Sequence, residues 1–280
     1  MNSKAGTLFI IATPIGNLDD ITLRAIKILS ECELCAAEDT RKTKVLFEHY
    51  KIKTKLTSYH KFSERKKLNG LIDYLATGND LALVSDAGTP LISDPGFLLV
   101  KEALALNINV IPVPGVSSVI SALSVSGFSA DKFKFLGFPP RKKNERLDFI
   151  NRLLSSRSSS VIFESGLRIK NLLIEIGNVD SNKIVCVSRE MTKLYETHYR
   201  GQVSQVIDQL ENDKFGNKGE FVLVCEGLKE VREVIFSDED KRVLDILVDS
   251  FPNKEALVAA SKILKIKKNI LYKKLLEKKE

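Results

Sequence analysis

The stretch Val84-Ser85-Asp86-Ala87-Gly88-Thr89-Pro90-Leu91-Ile92-Ser93-Asp94-Pro95-Gly96 decides how this chain is read. The apolar run Leu81 to Ser85 enters it as a strand, and Leu98, Leu99 and Val100 leave it on a helix. Between Ser85 and Gly96, two glycines, two prolines and two aspartates share twelve residues. A loop of that composition is stiff and polar. At the carboxyl end of a strand it leaves backbone groups and carboxylates free to meet a ligand. As an ordinary turn, the same aspartates would only cap helices.

Similar strand and helix signals extend to both sides. A strand is expected over Thr7 to Thr13, then a helix after the pair Asp19-Asp20, read as its cap, with Ile21, Ala25, Ile28 and Leu29 on one face. Glu33 to Ala37 and Asn109 to Val113 read as strands, and Ser63 to Ala76 as a helix with the stripe Leu68, Leu71, Ile72 and Leu75. After Pro112-Val113-Pro114-Gly115 the pattern restarts, with strands at Phe133 to Leu136, Ser160 to Glu164, Lys183 to Ser188 and Glu220 to Glu226. This alternation predicts an α/β fold with largely parallel or mixed sheets.

A chain of 280 residues exceeds what one hydrophobic core usually holds, so more than one domain is expected. The Pro/Gly cluster separates residues 1–115, an N-terminal α/β domain, from 116–228, a second one, and the change to short helical patterns without strands at about Leu228 sets off 229–280 as a helical module. Gly137 to Lys143 is a second candidate linker, because two prolines stop regular structure and three cations follow. In the module, Asp238 to Val248 and Lys254 to Leu264 have helical periodicity. From Asn253 to Glu280 there are nine lysines against three glutamates. Such a basic face suits either a helix-turn-helix-like contact with nucleic acid or a solvated bundle.

Composition narrows the function classes. Hydrophobic residues at 44% and charged residues at 28% predict a packed core and exclude a disordered chain. A formal charge of +7 favours a polyanionic partner, though it also describes any soluble basic surface. The absence of Trp and 7% aromatics argue against a large base-stacking platform. Of Cys32, Cys35, Cys186 and Cys225, only the first two have metal-like spacing, and no second ligand pair accompanies them, so no metal site is expected. No run approaches the roughly 20 apolar residues that span a bilayer, and Leu8 to Ala12 is too short for a signal-peptide core. A cytoplasmic protein that avoids membranes is expected.

Two further strand-end loops stand out. Thr13-Pro14-Ile15-Gly16-Asn17-Leu18 lacks the Gly-x-Gly-x-x-Gly fingerprint that cradles a pyrophosphate, which argues against a dinucleotide but not against another ligand there. Val113-Pro114-Gly115-Val116-Ser117-Ser118 follows a strand and opens a helix, whose first amides would suit a ligand carboxylate. Ser117 and Ser118 are also ordinary residues for a helix start.

These segments together resemble the small-subunit ribosomal RNA methyltransferase I family, a branch of the tetrapyrrole-methylase-like proteins. The resemblance rests on Ala12 to Leu18, Ala37-Glu38-Asp39-Thr40-Arg41, Val84 to Gly96, Pro114-Gly115, Ser188 to Lys193 and Lys218-Gly219-Glu220-Phe221, in order across roughly residues 6 to 227. It departs at His60-Lys61-Phe62-Ser63-Glu64, where the family usually has His-x-His-Asn-Glu. Only His60 and Glu64 match there.

The resemblance implies two α/β domains with S-adenosylmethionine in the cleft between them, a homodimer, and 2′-O-methylation of a cytidine in the decoding region of 16S ribosomal RNA. The substrate would be that RNA or the small ribosomal subunit. It implies that Pro14, Asp86, Gly88, Thr89, Ile92, Ser117 and Ser118 line the cofactor site, with Ser165, Arg189 and Glu220 approaching from the second domain. Activation of a weakly nucleophilic hydroxyl needs a base or cation, for which Glu38, Asp39, Arg41, Glu190 and Lys193 are the candidates. They would equally make a salt-linked structural cluster. Arg41, Lys42, Lys44, Arg65, Lys66, Lys67, Arg141, Lys142 and Lys143 are candidates for a phosphate-contacting rim. Two other readings remain: a methylase of a small tetrapyrrole-like substrate on the same fold, and a non-catalytic RNA-binding assembly factor.

Overall fold

The computed structural model describes residues 5–228, 236–266 and 268–277. Along the first part of the chain run β1 (Thr7–Ile11), α1 (Leu23–Glu31), β2 (Leu34–Ala37), α2 (Thr40–His49), β3 (Lys55–Ser58), α3 (Glu64–Ala76), β4 (Leu81–Val84), α4 (Phe97–Ala105) and β5 (Asn109–Val113). They build a five-stranded parallel sheet of order β3-β2-β4-β1-β5. The connections after β1 and β2 run towards one edge of the sheet, and those after β3 and β4 run back. Because such crossovers are right-handed, the reversal puts the helices on opposite faces. One core gathers Ala25 and Leu29 of α1 with Leu46 and Phe47 of α2; the other gathers Leu71, Ile72 and Leu75 of α3 with Leu99 and Ala103 of α4. Strand β4 feeds both, sending Ala82 and Val84 to the first core and Leu81 and Leu83 to the second. That is why it reads as a continuous apolar run.

The chain then continues as α5 (Ser118–Ser126), β6 (Phe133–Phe135), α6 (Lys143–Leu154), β7 (Ser159–Ser165), α7 (Gly166–Val179), β8 (Ile184–Arg189), β9 (Thr197–Gln202), α8 (Val203–Asn212) and β10 (Glu220–Cys225). Its sheet has the order β6-β7-β10-β8-β9, parallel only between β6 and β7. Helices α6, α7 and α8 cover one face, while α5 covers the other through Val119, Ala122 and Leu123. Both sheets belong to one compact unit, Met1–Leu228. This is the two-part α/β architecture expected. A second unit, Lys229–Glu280, packs α9 (Asp238–Ser250), α10 (Asn253–Leu264) and α11 (Lys268–Glu277) around Leu244, Leu257, Ala260, Ile266 and Leu271. Of the tail lysines counted above, Lys267, Lys278 and Lys279 lie outside the described residues.

Some local expectations need correction. Asp19 and Asp20 do not cap α1. They form a short 3-10 turn capped by Asn17, and Thr22 caps α1 by accepting the Ala25 N–H. Strand β1 ends at Ile11, and Thr13 instead bridges to Gly88 through a reciprocal pair of 2.9 Å backbone hydrogen bonds. Strands β3 and β9 and helices α2, α6, α7, α8 and α11 are not among the elements expected from the sequence. All four cysteines are free and buried, and burial pushes the Cys32 thiol up to about 12. Among the described residues, no helix is long and apolar enough to cross a membrane, and no group of three or more His, Cys, Asp or Glu is placed to hold a metal ion.

Candidate active site

The bridge between Thr13 and Gly88 ties the loop after β1 to the loop after β4, as expected of neighbouring parallel strands whose carboxyl ends make a common edge. Beside it lies a cavity of about 270 Å3. Thr13, Pro14 and Gly16 line it from the first loop, and Ser85, Asp86 and Ala87 from the second. Lys42 and Thr43 of α2 form another wall, and Lys193 and Glu220 reach it from the second sheet.

Asp86 organises the first-sheet side. Its Oδ1 accepts the Asp39 N–H at 2.9 Å, its Oδ2 accepts Lys42 Nζ at 2.7 Å, and its own N–H donates to Glu38 Oε2 at 3.2 Å. Burial pushes the Glu38 carboxyl up, with the charge of Asp86 adding to it and the Asp86 N–H opposing. Asp39 behaves oppositely. It caps α2, grips Arg41 through Nε at 3.0 Å and Nη2 at 2.7 Å, and is held well below the usual carboxylate range by that guanidinium.

The second-sheet side is a lysine between two carboxylates. Lys193 Nζ donates to Glu190 Oε1 and to Glu220 Oε2, both at 2.9 Å. Glu190 Oε1 also accepts the Glu220 N–H at 2.9 Å. Lys193 sits over the first loop, because a Cβ on Gly16 would come within 2.5 Å of Lys193 Cγ and 2.8 Å of Thr192 Oγ1. Only glycine permits that approach. The neighbouring Asn17 N–H donates to Thr192 Oγ1 at 3.0 Å and pins the two loops together. Glu190 and Thr192 have left-handed φ values of 50° and 65°, and Leu91 and Ser93 in the other loop both have 72°. Side-chain-bearing residues in that region are strained, and such strain clusters at ligand sites.

The structure brings together only part of the set expected from sequence. Pro14, Asp86, Lys193 and Glu220 line the cavity. Glu38, Asp39, Arg41 and Glu190 stand behind its walls as partners of lining residues or of one another. Gly88 serves the bridge, and Thr89 donates to Val116 O at 3.3 Å, fastening its loop to the segment before α5. Ile92 is half exposed, and Ser117 occupies the cap position of α5, ahead of Ser118, without a side-chain capping bond. Ser165 is engaged locally, its N–H on Glu164 Oε1 at 2.7 Å and its Oγ taking Arg168 Nε at 3.3 Å. Arg189 departs most. It is 3% exposed and ion-paired to Asp213 at 2.8 Å, with Tyr199 on the same carboxylate and Phe215 beneath, so it does not line the cavity.

The rim needs the same revision. Arg41, Lys42, Lys44 and Lys142 are ion-paired to Asp39, Asp86, Glu48 and Glu145, and Lys67 bonds the Thr57 and Ser58 hydroxyls. Among the described residues Arg65, Lys66 and Arg141 have no ion-pair partner, whereas the charge of Lys143 acts on Glu175. Phe138 and Phe163 meet at 5.6 Å, joined by Phe135, whereas Phe62 stands apart beside His60.

Sequence reasoning missed Asp94 as a titrating group. Burial, with the charges of Glu38 and Asp86 behind it, pushes the Asp94 carboxyl up to about 6, while a Ser85 hydrogen bond opposes. A raised acid costs no stability while protonated, and the cost grows as pH rises from the unfolded value through the folded one. Asp94→Asn should therefore stabilise the protein at pH 7 by about 1 kcal/mol, after discounting for partial solvent screening. The gain should shrink towards zero near pH 4. Thermal unfolding of both proteins across that range checks this, and a gain independent of pH would contradict it.

The model of the tetrapyrrole (corrin/porphyrin) methylases matches residues 7–207. The chain is 40% identical over 284 residues to the ribosomal RNA small subunit methyltransferase I of Buchnera aphidicola from Schizaphis graminum, covering 100% of both chains. The proteins of that name from Pseudomonas aeruginosa and Escherichia coli O157:H7 are 40% and 39% identical, over 98% and 99% of this chain and 98% and 96% of theirs. The chain belongs to the ribosomal RNA small subunit methyltransferase I family. Two solved structures share the wider family's fold. Cobalt precorrin-4 methyltransferase superposes with a TM-score of 0.57 at 18% identity, and uroporphyrin-III-C-methyltransferase from Thermus thermophilus with 0.54 at 19%. Each covers 79% of this chain and 94% of its own.

Proposed function

We propose that this protein transfers a methyl group from S-adenosylmethionine to the ribose 2′-hydroxyl of a cytidine in the decoding region of 16S ribosomal RNA. The supporting observation is the cavity at the carboxyl ends of β1 and β4, walled by Lys193 and Glu220 of the second sheet, in a chain of this family. Its lining carries both signs, with ammonium groups on Lys42 and Lys193 and carboxylates on Asp86 and Glu220. That donor set fits a ligand bearing a carboxylate, an ammonium and a sulfonium. When bound, the cofactor supplies the electrophilic methyl and its own leaving group.

What remains for the protein is alignment and proton handling. Pro14, Asp86, Gly88 and Thr89 shape the cofactor side, with Ile92, Ser117 and Ser118 on the adjoining loops and Ser165 and Glu220 in the second domain, where Arg189 is turned away to Asp213. Of Glu38, Asp39, Arg41, Glu190 and Lys193, only Lys193 lines the cavity, so it is the group assigned to the acceptor hydroxyl. Its charge lowers the proton affinity of that oxygen, and Glu190 and Glu220 hold it there. Glu38, Asp39 and Arg41 position Asp86 and α2. Domains 1–115 and 116–228 form the cleft, and residues 229–280 engage RNA. The working form is a cytoplasmic homodimer acting on the small ribosomal subunit.

Purified small subunits incubated with enzyme and labelled S-adenosylmethionine should acquire one methyl group on their RNA and one new linkage resistant to alkaline hydrolysis. A 2′-O-methyl group removes the hydroxyl that attacks the adjacent phosphodiester, whereas a base methyl leaves it intact. Labelled RNA with no resistant linkage would move the acceptor to a base.

A further inference from the structure

Phe62 is 95% exposed, the most accessible large apolar side chain among the described residues. A lone surface hydrophobe needs no explanation, but the surroundings of this one are unusual. Lys61, Arg65 and Lys66 flank it in sequence, all exposed and none ion-paired with a carboxylate among the described residues. The loop is also held in shape. Ser63 N–H and Glu64 N–H both donate to His60 O, at 2.8 and 2.9 Å, and His60 N–H donates to Ser63 Oγ at 3.1 Å. Tyr59, just before it, is fully buried. The side chain is thus presented outward by a braced turn.

That turn stands at the edge that bears the candidate active site. Ser58 of β3 pairs with Ala37 of β2, so residues 59–63 and Glu38-Asp39 leave the sheet side by side. Glu64 Oε1 accepts the Gly96 N–H at 2.9 Å, fastening the turn to the loop whose first residues, Ser85 and Asp86, line the cavity. An aromatic face ringed by unpaired cations is what a splayed nucleotide requires: a ring for the base and charges for the flanking phosphates. Three cations with no ion-pair partner among the described residues, the nearby Glu64 being engaged by the Gly96 N–H, make a poor seat for an apolar protein surface.

We propose that Phe62 is the stacking platform for one unpaired nucleotide of the RNA substrate, with Lys61, Arg65 and Lys66 holding the neighbouring phosphates. The proposal rests on the reading of the protein as an RNA methyltransferase. A short unstructured oligoribonucleotide carrying 2-aminopurine is the probe, used with the full chain. Phe62→Ala should weaken binding about tenfold and remove the fluorescence quenching of the stacked base, while Phe62→Tyr keeps both. Phe62→Ala should leave the salt dependence unchanged. Replacing Lys61, Arg65 and Lys66 together by Ala should flatten the slope of log affinity against log salt by about 2.

Unchanged affinity and quenching in Phe62→Ala would overturn the proposal. So would loss of self-association in that variant with RNA affinity intact, which would make the ring a protein contact. Methyl transfer to small subunits by the wild type is measured in parallel. If transfer is normal and Phe62→Ala behaves as wild type, the nucleotide site alone is wrong. If there is no transfer and the Phe62 effects hold, the nucleotide site stands and the catalytic reading falls.

Discussion

Asp86→Ala combined with Gly16→Leu is expected to abolish S-adenosylmethionine binding in a chain that still folds. Asp86 meets Lys42 and the Asp39 N–H at the cavity wall, so its loss frees one lysine and one amide where a ligand with charges of both signs would dock. Hydrogen bonds to charged groups contribute roughly 1.5–3 kcal/mol each, so the single change should cost about tenfold or more in affinity. Gly16→Leu adds bulk at the cavity wall, where even a Cβ comes within 2.5 Å of Lys193. The double variant should bind at least about a hundredfold more weakly. Folding should survive, because the clash at Gly16 falls between two loops and displaces Thr192 and Lys193 rather than a core, and the Lys42 ion pair is a surface one, worth little to stability. Calorimetry gives the affinity and circular dichroism the fold. Wild-type affinity in a folded double variant would remove this cavity from the cofactor site.

Truncation after Leu228 is expected to weaken RNA binding by about a hundredfold at physiological salt while leaving cofactor affinity within about twofold of wild type. The cut falls at the boundary between the two compact units and retains the 2.8 Å bond from Leu228 N–H to Ser156 O. Both sheets and their four cores stay complete. What is lost is a three-helix module whose last stretch, Asn253 to Glu280, has nine lysines against three glutamates. If three or four of those cations meet phosphates, the slope of log affinity against log salt should fall by roughly 2 to 4. Filter binding at several salt concentrations reads the slope, and calorimetry on the same protein reads the cofactor. Equal loss of both affinities would mean that residues 229–280 belong to the catalytic core.

The elements the sequence announced are those whose burial repeats along the chain. Strand β4 is buried on both faces and reads as an unbroken Leu-Ala-Leu-Val, and β10 as Phe-Val-Leu-Val-Cys. Two edge strands carry no such signal, whereas the edge strands β5 and β6 keep apolar residues enough to be read. β3 is Lys-Leu-Thr-Ser and β9 is Thr-His-Tyr-Arg-Gly-Gln, each at the end of its sheet with one side unpaired, and both escaped notice. The cap of α1 was misplaced for a local reason: Asn17, Asp19, Asp20 and Thr22 are all competent cap residues, and only backbone geometry selects Thr22.

The site divides along the same line. By itself, the sequence determined that a stiff, polar, glycine- and proline-bearing loop follows β4, that a second follows β1, and which family the loops resemble, because composition and order are local properties. Which of those residues share a cavity was decided only by the tertiary structure. Lys42 and Asp86 are 44 residues apart, and Lys193 and Glu220 are 27 apart, yet each pair is within 3 Å. The same folding turned Arg189 inward to Asp213, although its sequence neighbours Glu190 and Lys193 stay at the cavity side. A strand alternates its side chains between faces, so the twist and register of β8 against β10 decide where an arginine at its end points, and sequence spacing does not carry that information.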